Sequence, residues 1–153
     1  MKKIFILIFT FSINLIYSKE IQVNLLELYK ELHANPELSY QEYETSKKLA
    51  SVLENIGYQV TRNVGGNGIV ALLENGDGNT VMFRADMDGL PVEEKTGASY
   101  ASKNRVKNLE GEEVFTMHAC GHDVHMTVLI GVAEYLYKIK DTWQGKLLLV
   151  LEP

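Results

Sequence analysis

The segment that most constrains the fold lies near the end of the printed sequence. Each of residues 147–151 is leucine or valine, and a strand that is apolar at every position is typical of a sheet covered on both faces. Residues 123–139, which precede it, carry apolar side chains at helical spacing and predict a helix with one buried face. A helix that leads into such a strand indicates a layered α/β domain.

Helical and extended patterns alternate along the rest of the chain. A short helix is predicted over residues 21–33, and a second begins where Ser39 and Glu42 are spaced as a capping box and ends at Gly57. Strands bounded by turn residues are predicted over 58–64, 69–73, 80–84 and 145–151. The polar stretch 95–113 is predicted to be a surface loop. We therefore expect an α/β fold, a mixed sheet sandwiched by helices, with ligands at the carboxyl ends of its strands.

Residues 1–18 have the layout of a secretory signal peptide. Lys2 and Lys3 form a basic start, an apolar stretch follows, and the small residue Ser18 stands at the expected cleavage point. The alternative is a membrane anchor, but a spanning helix needs about 20 apolar residues, and this shorter run contains Asn14. We predict a signal peptide over residues 1–18, a secreted or periplasmic protein, and no stable membrane span.

The net charge and the cysteine count limit which partners the protein can bind and whether it can form disulfides. The formal net charge is -5, and no concentrated basic face of the kind that phosphate backbones require is visible, so no nucleic-acid partner is expected. Cys120 is the only cysteine, which excludes an intrachain disulfide. A lone cysteine in an exported protein is either buried and inert or chemically active.

Two acidic residues follow directly after the predicted strand 80–84. Asp86 and Asp88 lie two positions apart, at the carboxyl end of that strand. In an extended chain both side chains would share one face, whereas in a turn they would diverge. Taken alone, an Asp-x-Asp pair is more often a solvated turn or a helix cap than a functional site.

Soft metal ligands are concentrated in residues 117–125. Three of the four histidines and the only cysteine fall within these nine positions. Thiolate and imidazole suit zinc and other borderline-soft divalent metals. Gly121 allows a turn in which Cys120 and His122 point at one ion, and the predicted helix start favours the thiolate. An alternative is thiol chemistry, with Cys120 as nucleophile and His118 or His122 as base.

Four segments together resemble one group of enzymes. That group contains aminoacylases, hippurate hydrolases and indole-acetyl-amino-acid hydrolases, which are metal-dependent amidohydrolases of the carboxypeptidase-like metallopeptidase clan. The resemblance runs from about residue 25 to the last residue. The segments are LHANPELSYQEYET, GNGIVALL, RADMDGLP and MHACGHDVHMTVLIGVA.

The resemblance implies a zinc-peptidase-like catalytic domain and a role for three residues. Cys120 would bridge two divalent ions, His122 would be a second metal ligand, and Asp88 would be the catalytic-site acid that orients a metal-ligating histidine. His118 and His125 receive no metal role, and substrate-binding residues are not identified. The resemblance also implies two divalent ions in the complete enzyme, which would be zinc, manganese, cobalt or nickel, and a small N-acyl amino acid or peptide as the substrate.

The family's next motif reads Gln-Pro-Ala-Glu-Glu, and here Glu152 stands in the place of its glutamine. Glu152 should therefore not be mistaken for the general base. We expect residues 19–153 to be the N-terminal part of the catalytic domain, without the lid and dimerisation domain, so that this chain alone is inactive and a homodimer is possible only in the full-length protein. The competing hypotheses are a non-catalytic exported pseudoenzyme or metal-binding module with the same fold, and a thiol hydrolase that uses Cys120.

Overall fold

A computed structural model describes residues 22–153, so the predicted signal peptide over residues 1–18 lies outside the described residues. Within residues 22–153, no helix has both the length and the apolar character needed to cross a membrane. The elements are α1 (Leu25–Ala34), α2 (Tyr43–Ile56), β1 (Gln59–Val64), β2 (Gly68–Asn75), β3 (Thr80–Asp86), β4 (Arg105–Lys107), β5 (Glu113–Phe115), α3 (His122–Lys138) and β6 (Gly145–Glu152).

The main sheet is mixed, as predicted. Its four strands lie in the order β1-β2-β6-β3, with β6 antiparallel to β2 and parallel to β3. The connection from β3 to β6 contains α3, since parallel neighbours need a crossover. Because β3 and β6 run the same way, their carboxyl ends meet at one edge, where Asp86 is paired with Glu152.

The core lies between this sheet and the three helices. Buried side chains alternate along the two central strands; they are Ile69, Ala71 and Leu73 of β2 and Leu147, Leu149 and Leu151 of β6. They pack with buried residues of all three helices, and full burial of one such aliphatic side chain contributes about 1.5–3 kcal/mol. On the other face, Leu148 and Val150 are only half-buried. The prediction of an α/β fold with a mixed sheet is confirmed. Within residues 22–153, however, the helices cover one face of the sheet, whereas the prediction placed helices on both faces.

The predicted capping box at the start of α2 is wrong. The helix begins at Tyr43, and neither Ser39 nor Glu42 caps it with a side-chain hydrogen bond. The carboxylate of Glu37 instead accepts hydrogen bonds from the backbone N–H groups of residues 44 and 45, at 3.1 and 2.8 Å. Those N–H groups would otherwise lack a partner, and their acceptor comes from the preceding loop rather than from the helix start.

The predicted surface loop over residues 95–113 contains part of a small hairpin. Strands β4 and β5 pair antiparallel, with Val106 opposite Val114. Each strand has only three residues, and charged residues flank the single valine of β4. A three-residue strand is too short to display the alternation from which strands are predicted.

Because the core lies on one face of the sheet, we expect substitutions at neighbouring residues of β6 to differ in their effect on the free energy of unfolding. Leu149→Ala should lower the free energy of unfolding by about 2–5 kcal/mol because it leaves a cavity under the helices. Leu148→Ala, the matched control one residue away on the open face, should lower it by clearly less. Urea unfolding followed by circular dichroism measures both values, and equal losses would contradict a core on one face of the sheet.

Candidate metal centre

The loop after β3 is fixed by backbone hydrogen bonds on both sides. The N–H of Gly89 donates to the carbonyl of Glu37 at 2.6 Å, and Leu90 and Met117 exchange two hydrogen bonds at 2.8 and 3.0 Å. A side chain at Gly89 would meet neighbouring atoms at 2.8 Å, so this close approach requires glycine. The result is that Asp88 lies beside the segment that leads into α3.

Asp88 binds His122, the first residue of α3. The Nδ1 atom of His122 is 2.8 Å from Asp88 Oδ1 and 2.9 Å from the carbonyl oxygen of the same residue. Two acceptors at Nδ1 favour the tautomer in which Nδ1 carries the proton, which leaves the lone pair on Nε2. This is the usual arrangement of a metal-ligating histidine and its carboxylate partner.

Cys120 precedes α3 in an exposed position. Between it and His122, Gly121 has a φ of 79°, a left-handed conformation that favours glycine. Cys120 forms no hydrogen bond with His118 or His122 within the part of the chain that the structure describes. In that same part, no group of three or more histidine, cysteine, aspartate or glutamate residues could hold a metal ion. The convergence of Cys120 and His122 on one cation therefore stays a prediction.

The remaining carboxylates at this edge are bound by Arg84. Its guanidinium lies 2.6 Å from Asp86 Oδ1 and also contacts the carboxylate of Glu152. The hydrogen bond to Glu152 raises the pKa of Arg84. Asp86 Oδ2 lies 3.7 Å from the Nε2 atom of His122. Glu152 is therefore an ion-pair partner of Arg84 in this structure.

The other two histidines of the motif differ in their surroundings. His118 is buried, and burial lowers the pKa of its imidazole. His125 is exposed, with its ring 6.1 Å from the ring of His122. No metal role was predicted for either histidine.

The sequence analysis missed a buried network around the fourth histidine, His33. Its Nδ1 atom lies 2.6 Å from Asp123 and its Nε2 atom 3.0 Å from Glu94. Burial favours the neutral ring, but the hydrogen bonds and charges of these two carboxylates outweigh it and raise the pKa of His33. A histidine near the end of a short helix carries no spacing signal that links it to residues 61 and 90 positions away.

Comparisons with known proteins identify relatives over most of the chain. Residues 82–153 match the model of peptidase family M20/M25/M40. "Thermostable carboxypeptidase 2" of Saccharolobus solfataricus is 42% identical over 137 residues, which cover 88% of this chain and 33% of that protein. "IAA-amino acid hydrolase ILR1-like 2" of Arabidopsis thaliana is 36% identical over 129 residues, covering 84% of this chain and 27% of that protein.

A solved structure agrees with the fold. The YXEP protein of Bacillus subtilis, titled a dinuclear metal binding peptidase from the M20 family, is 34% identical with a TM-score of 0.73, covering 84% of this chain and 34% of that chain. "N-acetyl-L-cysteine deacetylase" of the same species is 36% identical over 134 residues, covering 87% of this chain and 30% of that protein. The chain thus spans about a third of the length of the relatives it matches.

The raised pKa of His33 predicts how stability depends on pH. A group whose pKa is higher in the folded than in the unfolded state, where histidine titrates near about 6.5, contributes stability at low pH and loses it as pH rises through the folded value. The His33→Gln variant should lose about 3 kcal/mol at pH 6 because two buried carboxylates lose their cation. The difference from the unsubstituted chain should shrink toward pH 9.

Urea unfolding of both proteins between about pH 6 and pH 9 measures this difference. The pKa of Glu94 is lowered by its hydrogen bonds with Thr96 and His33 and its backbone contact with Ser102, against the effect of burial. The stability that the ionised Glu94 contributes is therefore lost only as the pH falls below about 4.3, the ordinary pKa of glutamate. That pH lies outside the interval tested. A stability difference that stays constant or grows with pH would contradict the protonated assignment of His33.

Proposed function

We propose that this chain carries part of a metal-dependent amidohydrolase that cleaves the amide bond of N-acyl amino acids or small peptides. The match of residues 82–153 to the model of peptidase family M20/M25/M40 supports the proposal. The observation that carries the proposal is the contact of 2.8 Å between Asp88 and His122. A carboxylate that holds one imidazole nitrogen prepares the other to bind a metal ion.

The chain's own residues fit the proposed ion by their chemistry. His122, the first residue of α3, would offer Nε2, and Cys120, which is exposed just before the helix, would offer its sulfur. The candidates for the ion are zinc, manganese, cobalt and nickel, since imidazole and thiolate serve all of them. Such an ion, when bound, polarises a substrate carbonyl and lowers the pKa of water.

The proposed substrate class draws on two relatives. One is named for N-acetyl-L-cysteine and another for IAA-amino acids, so an acyl group joined to an amino acid is common to both names. The edge where β3 and β6 end is the position at which open α/β sheets bind ligands, and Asp88 lies there. We extend the proposal to export from the cell, for which the support is the signal-peptide pattern of residues 1–18.

A second candidate is a metal-binding module without hydrolase activity. The observation in its favour is the absence, among residues 22–153, of any group of three or more residues that could hold a metal. In addition, the nearby carboxylates of Asp86 and Glu152 pair with Arg84, and that of Asp88 pairs with His122. A general base must be free to accept a proton from the water it activates.

Metal content tests the ligand assignment. After equilibration with a limiting concentration of Zn²⁺, Cys120→Ala and His122→Ala should each retain much less metal than the unsubstituted chain. Asp88→Asn should weaken binding by about 10–100-fold because His122 loses its orienting carboxylate. His125→Ala is the matched control on the same turn of α3 and should retain the full amount. Equal metal in all variants, measured by atomic emission, would refute the assignment.

An assay of the 153-residue chain separates the candidate functions. With N-acetyl amino acids as substrates and divalent metal present, we expect no release of amino acid above background, because each carboxylate near His122 in the described residues is already paired. Release that a chelator abolishes would contradict this expectation and would identify an active metalloenzyme. Release that survives the chelator but is lost in Cys120→Ala would favour thiol chemistry.

A further inference from the structure

His33, at the end of α1, lies between two carboxylates that are both buried. Asp123 Oδ2 is 2.6 Å from Nδ1 of the ring, and Glu94 Oε1 is 3.0 Å from Nε2. The side chains of Glu94 and Asp123 are 0% and 2% exposed. We refer to these three residues as the His33 triad. Buried charges persist in proteins only when they are paired and hydrogen-bonded, so each member depends on the others.

Glu94 connects the His33 triad to the loop that follows β3. Its second carboxylate oxygen accepts a hydrogen bond from the backbone N–H of Ser102 at 2.5 Å. The ring of Tyr100, in the same loop, packs edge-on against the ring of His33 with centroids 5.3 Å apart. The loop is therefore closed over the end of α1 by one carboxylate and one aromatic ring.

Asp123 connects the His33 triad to the candidate metal centre. It is the second residue of α3 and directly follows His122. Successive helical side chains point about 100° apart, so Asp88 binds the first turn of α3 through His122 from one direction and His33 binds it through Asp123 from another. The other oxygen of Asp123 accepts the N–H of Val124 at 2.9 Å, which ties the carboxylate to the helix backbone.

We infer that the His33 triad positions the metal centre: His33 acts through Asp123 on the first turn of α3, and so on the relative placement of Cys120 and His122. His33 is a positioning residue and does not touch the ion. Two ligands bind one cation tightly only if the protein holds both in the productive arrangement. Asp88 orients the ring of His122, while the His33 triad fixes the direction of the first turn of α3, which carries His122 and directly follows the segment that holds Cys120. The inference rests on the proposed function.

Cobalt binding tests the inference without an activity assay. The full 153-residue chain is titrated with Co²⁺ while the near-ultraviolet thiolate-to-cobalt charge-transfer band is recorded, and the folded fraction is taken from circular dichroism. His33→Gln should weaken Co²⁺ binding per folded molecule by about tenfold, the lower end of the effect of residues that support metal ligands. The band at saturation should also shift, since the ligand arrangement changes.

The control separates positioning from general destabilisation. Leu32→Ala removes a buried side chain one residue earlier in α1 and leaves the three charged groups intact, so its folded fraction should bind Co²⁺ like the unsubstituted chain. An unchanged Co²⁺ affinity and charge-transfer band in His33→Gln would overturn the inference but not the proposed function. An equal loss of Co²⁺ affinity in Leu32→Ala would do the same. If the unsubstituted chain gives no charge-transfer band, both the proposed function and the inference fail.

Glu94→Gln provides a second variant should His33→Gln not fold. It keeps the size of the side chain and the contact between His33 and Asp123 but removes one of the two carboxylate charges. We expect a severalfold loss of Co²⁺ affinity with the thiolate band retained. Affinity equal to that of the unsubstituted chain would overturn the inference in this variant as well.

Discussion

The parallel pairing of β3 with β6 determines where the candidate site forms. Because both strands end at the same edge, the loop after β3 and the last residue of β6 are neighbours, and Asp86 is paired with Glu152. A parallel crossover must also bring the chain back along the sheet, and here α3 makes that return. The helix therefore begins at the edge where β3 ends, which brings His122 to Asp88 although 34 residues separate them.

Periodicity was sufficient to predict the elements that this arrangement needs. The strands around residues 69–73, 80–84 and 145–151 and the helix over 123–139 were each predicted within a few residues of their observed bounds, because apolar residues recur in them between clear turn residues. The cap of α2 could not be predicted in the same way. It depends on Glu37, whose carboxylate accepts from residues 44 and 45 while its carbonyl accepts from the distant Gly89.

The candidate site was predictable only in part, because contacts between distant segments leave no local sequence pattern. The family resemblance implied that Asp88 orients a metal-ligating histidine and that His122 is a metal ligand, but it did not name His122 as the partner of Asp88. His33 was not anticipated as a member of the site region, because its two partners come from separate segments and an isolated histidine has no periodic signature. The pairing of Glu152 with Arg84 was likewise not predicted, because its two members lie 68 positions apart.

A charged network beneath the site needs an explanation, because burying charges does not in general stabilise a fold. The desolvation of a histidine and two carboxylates offsets much of their mutual attraction, and an apolar replacement of similar shape is often as stable. What a buried ion pair provides is direction, since hydrogen bonds of 2.6 and 3.0 Å hold the ring only in one orientation. An apolar contact would let α3 slide or rotate by small amounts at little cost. The first turn of α3 carries His122 and begins two residues after Cys120, and it is there that Asp123 meets His33.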